Sequence, residues 1–354
     1  MDRRTFIKVA AGAGTLALAG CAGKQDGDTA AEPEDAGSEE GSTEGEPEPE
    51  HDAGLPTPVR IAALKGPTAM GMVKLMDDAA TGPVDGNAYE FQLLASPDEV
   101  APLVFKGDVD IACVPANLAA VLYSKTEKGV RALAINTLGV LYICEKGETI
   151  HEVADLAGKT VYASGKGATP EYALQYVLEG AGLSESVTVE WKSEHAECVA
   201  ALASDPAGVA MLPQPFVTAA QTQDDTIRIA LDLNEEWAAV ASARQESAAL
   251  VTGVTIARLD FVHPNKDALD AFMKSYAESV AWVNEHVDEA AALIGGFDII
   301  AEPVAKKALP YCNIVCITGD EMHDMLDGYL NVLYGANPES VGGSVPSEKF
   351  YELP

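Results

Sequence analysis

The chain has 354 residues, with 55 Asp and Glu against 23 Lys and Arg, for a formal net charge of −32. Phosphate backbones repel so acidic a chain, which argues against a nucleic-acid partner, and the length allows about two domains. The 6 cysteines and 6 histidines never form two pairs at zinc-ligand spacing, which argues against a metal centre.

Asp2-Arg3-Arg4-Thr5-Phe6-Ile7-Lys8 and the apolar run Val9 to Leu18 form an export signal over residues 1–21. The run is shorter than the roughly 20 apolar residues that span a bilayer. The twin arginines resemble the twin-arginine pathway signal, and Leu18-Ala19-Gly20-Cys21 resembles a lipobox, which implies a mature chain beginning at a lipidated Cys21. The alternatives are an ordinary cleaved signal and an uncleaved anchor. Apart from Lys24, Gln25, His51 and Leu55, residues 22–58 are Gly, Ser, Thr, Pro, Ala, Glu and Asp, with no Phe, Trp or Tyr. No core can form there, and the expectation is a disordered acidic tether that holds the folded part off the membrane.

Val59 to Leu64 is a strand, Lys65-Gly66-Pro67-Thr68 a turn, and Ala69 to Asp78 a helix. Tyr89 to Leu94 (strand), Ser96 to Phe105 (helix), Val109 to Val114 (strand) and a helix from Pro115-Ala116-Asn117 to Tyr123 follow. Two more strands, Arg131 to Asn136 and Val140 to Glu145, are separated near Thr137-Leu138-Gly139. Strands alternating with helices imply right-handed crossovers and a mostly parallel sheet.

A short helix, Glu152 to Leu156, leads into the unit that organises the second half of the pattern. Thr160 to Ala163 is a buried strand ending at Ser164-Gly165-Lys166-Gly167, where two glycines permit a sharp reversal. Thr169 is expected as N-cap with Pro170 at the first helical position, Glu171 in the first turn and Gly182 as the stop. Then come Val187 to Trp191 (strand), Glu194 to Ala203 (helix), Ala207 to Leu212 (strand), a helix from Pro213-Gln214-Pro215 to Gln221, Ile227 to Leu231 (strand), and a short turn or helix at Asn234 to Trp237. Leu250 to Ala257 is strand-like. Beyond His263-Pro264 everything reads as helix: Lys266 to Asn284, Val287 to Ile294, Glu302 to Leu309 and Gly319 to Tyr334. The economical arrangement is an α/β fold of two lobes with a helical tail. Lobe one is 59–140 plus 250–354, lobe two is 141–249, and the chain crosses twice.

Asp155-Leu156-Ala157-Gly158-Lys159-Thr160-Val161, Ala168-Thr169-Pro170-Glu171-Tyr172 and Phe105-Lys106-Gly107-Asp108-Val109-Asp110-Ile111 resemble segments of the solute-binding proteins of bacterial ABC importers. The likeness is to the nitrate, sulfonate, taurine and thiamine-precursor group and runs from Val59 to Tyr334. It implies a two-lobed type II periplasmic-binding fold, an exported receptor anchored to the membrane by its lipid, a monomer, and a small-molecule ligand handed to an importer permease. The implied ligand is a small organic anion or a heterocycle, sulfonate-, nitrate- or pyrimidine-like, and no cofactor. One departure bears on the ligand: where many relatives carry Glu-Pro, this chain has Gln214-Pro215.

Ligands of open α/β sheets sit beyond the carboxyl ends of strands. That rule selects Lys65, Gly66, Pro67, Thr68, Ser96, Asn117 and Thr137 from lobe one and Ser164, Gly167, Ala168, Thr169 and Gln214 from lobe two. Helix starts from both sides, with Lys65 and Lys166, would suit an anion. Against this, a glycine turn before a helix is often a plain connection, and both lysines read equally as solvated surface. Trp191 and Trp237 read as core or cleft wall, and His195 as an exposed helix-start residue. No enzyme motif survives. Gly158-Lys159-Thr160 mimics a P-loop, but Val153 stands where its first glycine is needed, and no G-x-S-x-G occurs. Cys312 and Cys316 could close a small disulfide in a loop, and would be strained on a helix.

Overall fold

The computed structural model describes residues 55–246 and 248–352. The export signal, the lipidation site Cys21 and all but the last residues of the expected tether lie outside them.

Strand β1 (Thr57–Leu64) begins two residues inside the stretch expected to be tether, and its last four residues are buried, as a strand covered on both faces requires. The single helix expected after it is broken into α1 (Pro67–Met70) and α2 (Val73–Ala79). Ser279 causes the break: its hydroxyl donates to Gly71 O at 2.7 Å and accepts the Leu75 N–H at 3.2 Å, replacing rungs of the helical ladder. β2 (Asn87–Leu94) and α3 (Pro97–Lys106) follow, and Ser96 caps α3 in a full capping box with Glu99. β3 (Ile111–Pro115), α4 (Ala116–Lys125) and β4 (Val130–Leu138) complete this half.

The chain then enters a second sheet through β5 (Leu141–Lys146), β6 (Thr160–Ser164), α5 (Thr169–Gly180) and β7 (Thr188–Lys192). It continues through α6 (His195–Ser204), β8 (Val209–Pro213), α7 (Phe216–Gln223), β9 (Ile227–Asp232) and α8 (Leu233–Arg244). The last of these was expected only as a short turn or helix at Asn234 to Trp237 and is three turns long. Its buried face is Leu233, Trp237 and Ala241, one residue per turn among alanines, too thin a stripe to read as a helix of this length.

The return to the first sheet is β10 (Val251–Arg258), followed by α9 (Leu259–Val262), α10 (Lys266–Glu285), α11 (Val287–Gly296) and α12 (Glu302–Ala308). The tail is not wholly helical. β11 (Ile314–Ile317) precedes α13 (Gly319–Ala336) and pairs antiparallel with β4. Four residues are too few for periodicity to separate a strand from a loop.

The six-stranded sheet runs β11-β4-β10-β3-β1-β2 and the five-stranded one β7-β6-β8-β5-β9. Both are mixed rather than mostly parallel. β1 pairs parallel with β2 and β3, and β6 with β7 and β8, while β10, β11, β5 and β9 pair antiparallel. β5 and β10 are reversed where the chain changes sheet, each inserting without a helical crossover, whereas β11 is reversed within the first sheet after α12. Leu138 pairs with Val251, so the two crossings run side by side.

One apolar cluster joins Val114 and Ile256 of the first sheet through Leu141 and Ile143 to Val161 and Met211 of the second. A second lies between the first sheet and α10 to α12. Trp237 is fully buried, stacked on Tyr176 at 3.9 Å, while Trp191 is half-buried. Cys312 and Cys316 are free thiols, one at the end of a 3-10 turn and one in β11.

Candidate functional site

The carboxyl ends of β1, β2, β3, β6, β7 and β8 and the amino ends of β5 and β10 are the loops through which the sheets could reach one solute. A cavity of about 470 Å³ opens among them. From the first sheet it is lined by Pro97 after β2, by Pro115, Asn117, Leu118 and Val121 at the start of α4, and by Thr252 of β10. From the second it is lined by Gly165, Ala168, Thr169 and Pro170 at the start of α5, His195 at the start of α6, and Pro213 at the end of β8. Val140 and Leu141, at the first crossing, form its floor.

Gly165 and Gly167 adopt φ of 82° and 80°, the left-handed turn that brings the α5 start back against the strand. A Cβ on Gly165 would stand 2.8 Å from the Pro170 ring, which itself forms part of the wall. The N-cap of α5 is Ala168 rather than Thr169. No side chain caps α5, and Glu171 Oε2 instead accepts the N–H of Gly167, just before the N-cap, at 2.6 Å. That leaves the Thr169 hydroxyl free to accept from Tyr329 Oη of α13 at 3.2 Å while its residue faces the cavity.

Of the residues selected from sequence, Asn117, Ala168 and Thr169 line the cavity. Ser164 and Gln214 stand one step behind it. Ser164, 2% exposed, lies with Oγ 2.5 Å from His195 Nδ1, and buried Gln214 follows Pro213 and is joined to Pro215 by a cis peptide bond. Gln214 Oε1 accepts from Thr218 Oγ1 at 2.9 Å, and its Nε2 has no hydrogen-bond partner.

The remaining candidates do not line the cavity. Lys65 is exposed and pairs with Asp298 at 2.7 Å, and Lys166 is exposed on the α5 turn. Gly66 and Pro67 turn the chain into α1, and Thr68 donates to Leu64 O at 3.0 Å. Ser96 caps α3, and buried Thr137 donates to Asn136 Oδ1 at 3.0 Å. Gly167 is exposed with its N–H held by Glu171. The expected pair of cationic corners is therefore not what lines this space.

His195 is the main residue that sequence reasoning set aside. It is half-buried, packs on Phe216 with ring centroids 4.9 Å apart, and burial holds its imidazole below the ordinary value, so it is neutral at neutral pH. With Nδ1 taken by Ser164, Nε2 is the ring atom left for a guest. Its position three residues past the end of β7 was the available signal, the same rule that selected Ser164. Thr252 Oγ1 is likewise buried without a partner. Among the described residues no group of three or more His, Cys, Asp or Glu could hold a metal ion, and no helix is long and apolar enough to cross a membrane.

A family model described as NMT1/THI5 like matches residues 90–290. No curated protein matches the chain. Among solved structures, an ABC transporter protein from Parabacteroides distasonis is similar with a TM-score of 0.71 and 22% identity, over 84% of this chain and 99% of that one. The periplasmic aliphatic sulphonate binding protein SsuA from Escherichia coli is similar with a TM-score of 0.65 and 16% identity, over 84% of this chain and 93% of that one. A periplasmic sulfonate-binding protein SsuA from Methylobacillus flagellatus gives 0.61 and 17%, over 84% and 92%. At such identities the likeness is one of fold, and the fold is that of two-lobed periplasmic binding proteins.

Proposed function

The chain belongs to the NMT1/THI5-like family, and on that premise we propose that it is an extracytoplasmic receptor that captures a small solute between two lobes and delivers it to an ABC importer. The observation that carries this reading is the 470 Å³ cavity walled by the same edge of both sheets. A solute there touches both lobes, so closure around it and affinity for it are the same event. The two crossings, at Leu138 to Leu141 and near Val251, lie side by side in antiparallel directions and are the hinge of this reading, with lobe one 59–140 plus 250–354 and lobe two 141–249. The export signal, a lipid on Cys21 and an acidic tether complete it, placing a monomeric receptor on the outer face of the cytoplasmic membrane.

An enzyme on the same fold is the second reading, and the Ser164–His195 contact is the observation that would favour it. That serine is buried, and among the described residues no carboxylate bonds His195, so the pair is better suited to fixing a tautomer than to nucleophilic attack. The protein is accordingly read as a binding protein without turnover.

The test is ligand-induced stabilisation. A solute at a hundredfold excess over its dissociation constant should raise the unfolding free energy by about 2.7 kcal/mol, at one molecule per chain. Mass spectrometry of whatever copurifies supplies the first solutes to try. Absence of stabilisation by the copurified compounds and by a panel of sulfonates, carboxylates, nitrate and pyrimidines would remove the proposal.

A further inference from the structure

Four helices start at the cavity: α3, α4, α5 and α6. A helix start attracts an anion through its free N–H groups and the positive end of its dipole. Three of these four carry a first-turn glutamate folded back onto an N–H at or just before the N-cap. Glu99 Oε2 accepts the N–H groups of Ala95 at 3.0 Å and Ser96 at 2.9 Å. Glu171 Oε2 accepts from Gly167 N–H at 2.6 Å, and Glu197 Oε2 from Ser193 N–H at 2.9 Å. An anionic guest at these helix starts would meet a carboxylate already placed in the first turn and be repelled by it. Among the described residues no Lys, Arg, Asp or Glu lines the cavity. A charged guest of either sign would leave water without a counter-charge to meet it, the costliest way to bury a polar group.

What the wall offers is apolar surface and neutral polar atoms. Four prolines, Val140, Leu141, Leu118 and Val121 give the apolar part. The polar part is Asn117, Thr169, His195 and Thr252, and the Thr252 hydroxyl is buried with no partner. An unpaired buried hydroxyl on a cavity wall is a group waiting for a partner that the guest can bring. On the receptor reading, we infer that the guest is an uncharged, mainly apolar molecule with a polar end, and that Glu99, Glu171 and Glu197 exclude carboxylates and sulfonates from the site. Of the two ligand classes implied by the family resemblance, this selects the heterocycle over the anion.

The experiment uses charge-matched sets of one shape: benzoate, benzamide and benzamidine, with the corresponding sets built on pyridine and pyrimidine rings, each followed by thermal shift and calorimetry on the whole exported chain. The neutral amide should stabilise the protein most within each set that binds. A carboxylate or amidine that outperforms its amide overturns the inference while leaving the receptor standing. If no set and no copurified compound binds, the receptor reading falls and takes the inference with it. The variants Glu171→Gln and Glu99→Gln, checked for folding by circular dichroism, then test the exclusion itself. Each should raise the affinity for the carboxylate relative to the amide by about two- to fivefold, the range of a helix-end charge interaction. An unchanged ratio in both overturns the assignment to those carboxylates.

Discussion

Glu145 in β5 is almost fully buried yet ionised. Its carboxylate accepts from Thr149 N–H at 2.9 Å, Thr149 Oγ1 at 2.9 Å and Ile150 N–H at 3.0 Å, and pairs with the Arg228 guanidinium from β9. Burial would raise its pKa, but the Ile150 and Thr149 hydrogen bonds with those of Arg228 outweigh it and hold the group below the usual carboxylate range. A carboxylate with a depressed folded pKa contributes stability above the unfolded value of about 4.3, and that contribution disappears as pH falls through the folded value. Glu145→Gln should therefore show a shallower loss of stability than the parent as pH is lowered from about 5 to about 3. Arg228→Met should cost about 2–4 kcal/mol in chemical denaturation at neutral pH, less than for a fully buried pair because Arg228 is 33% exposed. Equal pH slopes in parent and Glu145→Gln would show that the hydrogen bonds do not ionise the group. Nothing in the sequence around Glu145 marks it, since its partners come from a turn and from a strand 83 residues on.

Where α5 meets α8, the approach is set by one missing side chain. A Cβ on Gly180, the last residue of α5, would stand 2.5 Å from both methyl groups of Val240. The two helices can lie this close only because nothing projects there, and the closeness lets Tyr176 stack on Trp237 at 3.9 Å. Gly180→Ala gains helix propensity but overpacks this contact. It should lower stability by about 1–3 kcal/mol, and Val240→Ala in the same chain should recover part of that loss. A neutral or stabilising Gly180→Ala, measured by urea unfolding, would mean that the helices separate freely. The elements themselves were largely legible, because capping and turn chemistry act within a few residues: Ser96 with Glu99, Pro170 near the α5 start, Gly165 and Gly167 at the reversal. The errors fell where a distant group intervened, as with Ser279 splitting the first helix, or where the apolar stripe was thin, as in α8.

Across the whole molecule, α13 links the lobes. Tyr329 Oη donates to Thr169 at 3.2 Å, and just beyond the helix Asn337 Nδ2 donates to Tyr172 Oη at 3.0 Å, both reaching α5. Tyr142 Oη on the other side donates to Tyr311 O at 2.7 Å. Such bonds are worth about 0.5–1.5 kcal/mol each, enough to bias a hinge without locking it. Combining Tyr329→Phe with Asn337→Ala should widen the free protein in small-angle scattering, with the parent dimensions restored by ligand. Identical free-state scattering would show that these bonds do not hold the lobes. The alternation of strand and helix, the glycine turns and the acidic, core-free stretch are properties of neighbouring residues, so the sequence alone determined the α/β class, the two-lobed plan and the loops among which a site would lie. Which loop residues face the cavity depended on groups far apart in the chain: Asp298 pairing with Lys65, Tyr329 bonding Thr169, Ser164 bonding His195. Hydrogen bonds and charge pairs between such residues exist only once the sheets are assembled, which is why the cavity's neutral wall was decided by the tertiary structure.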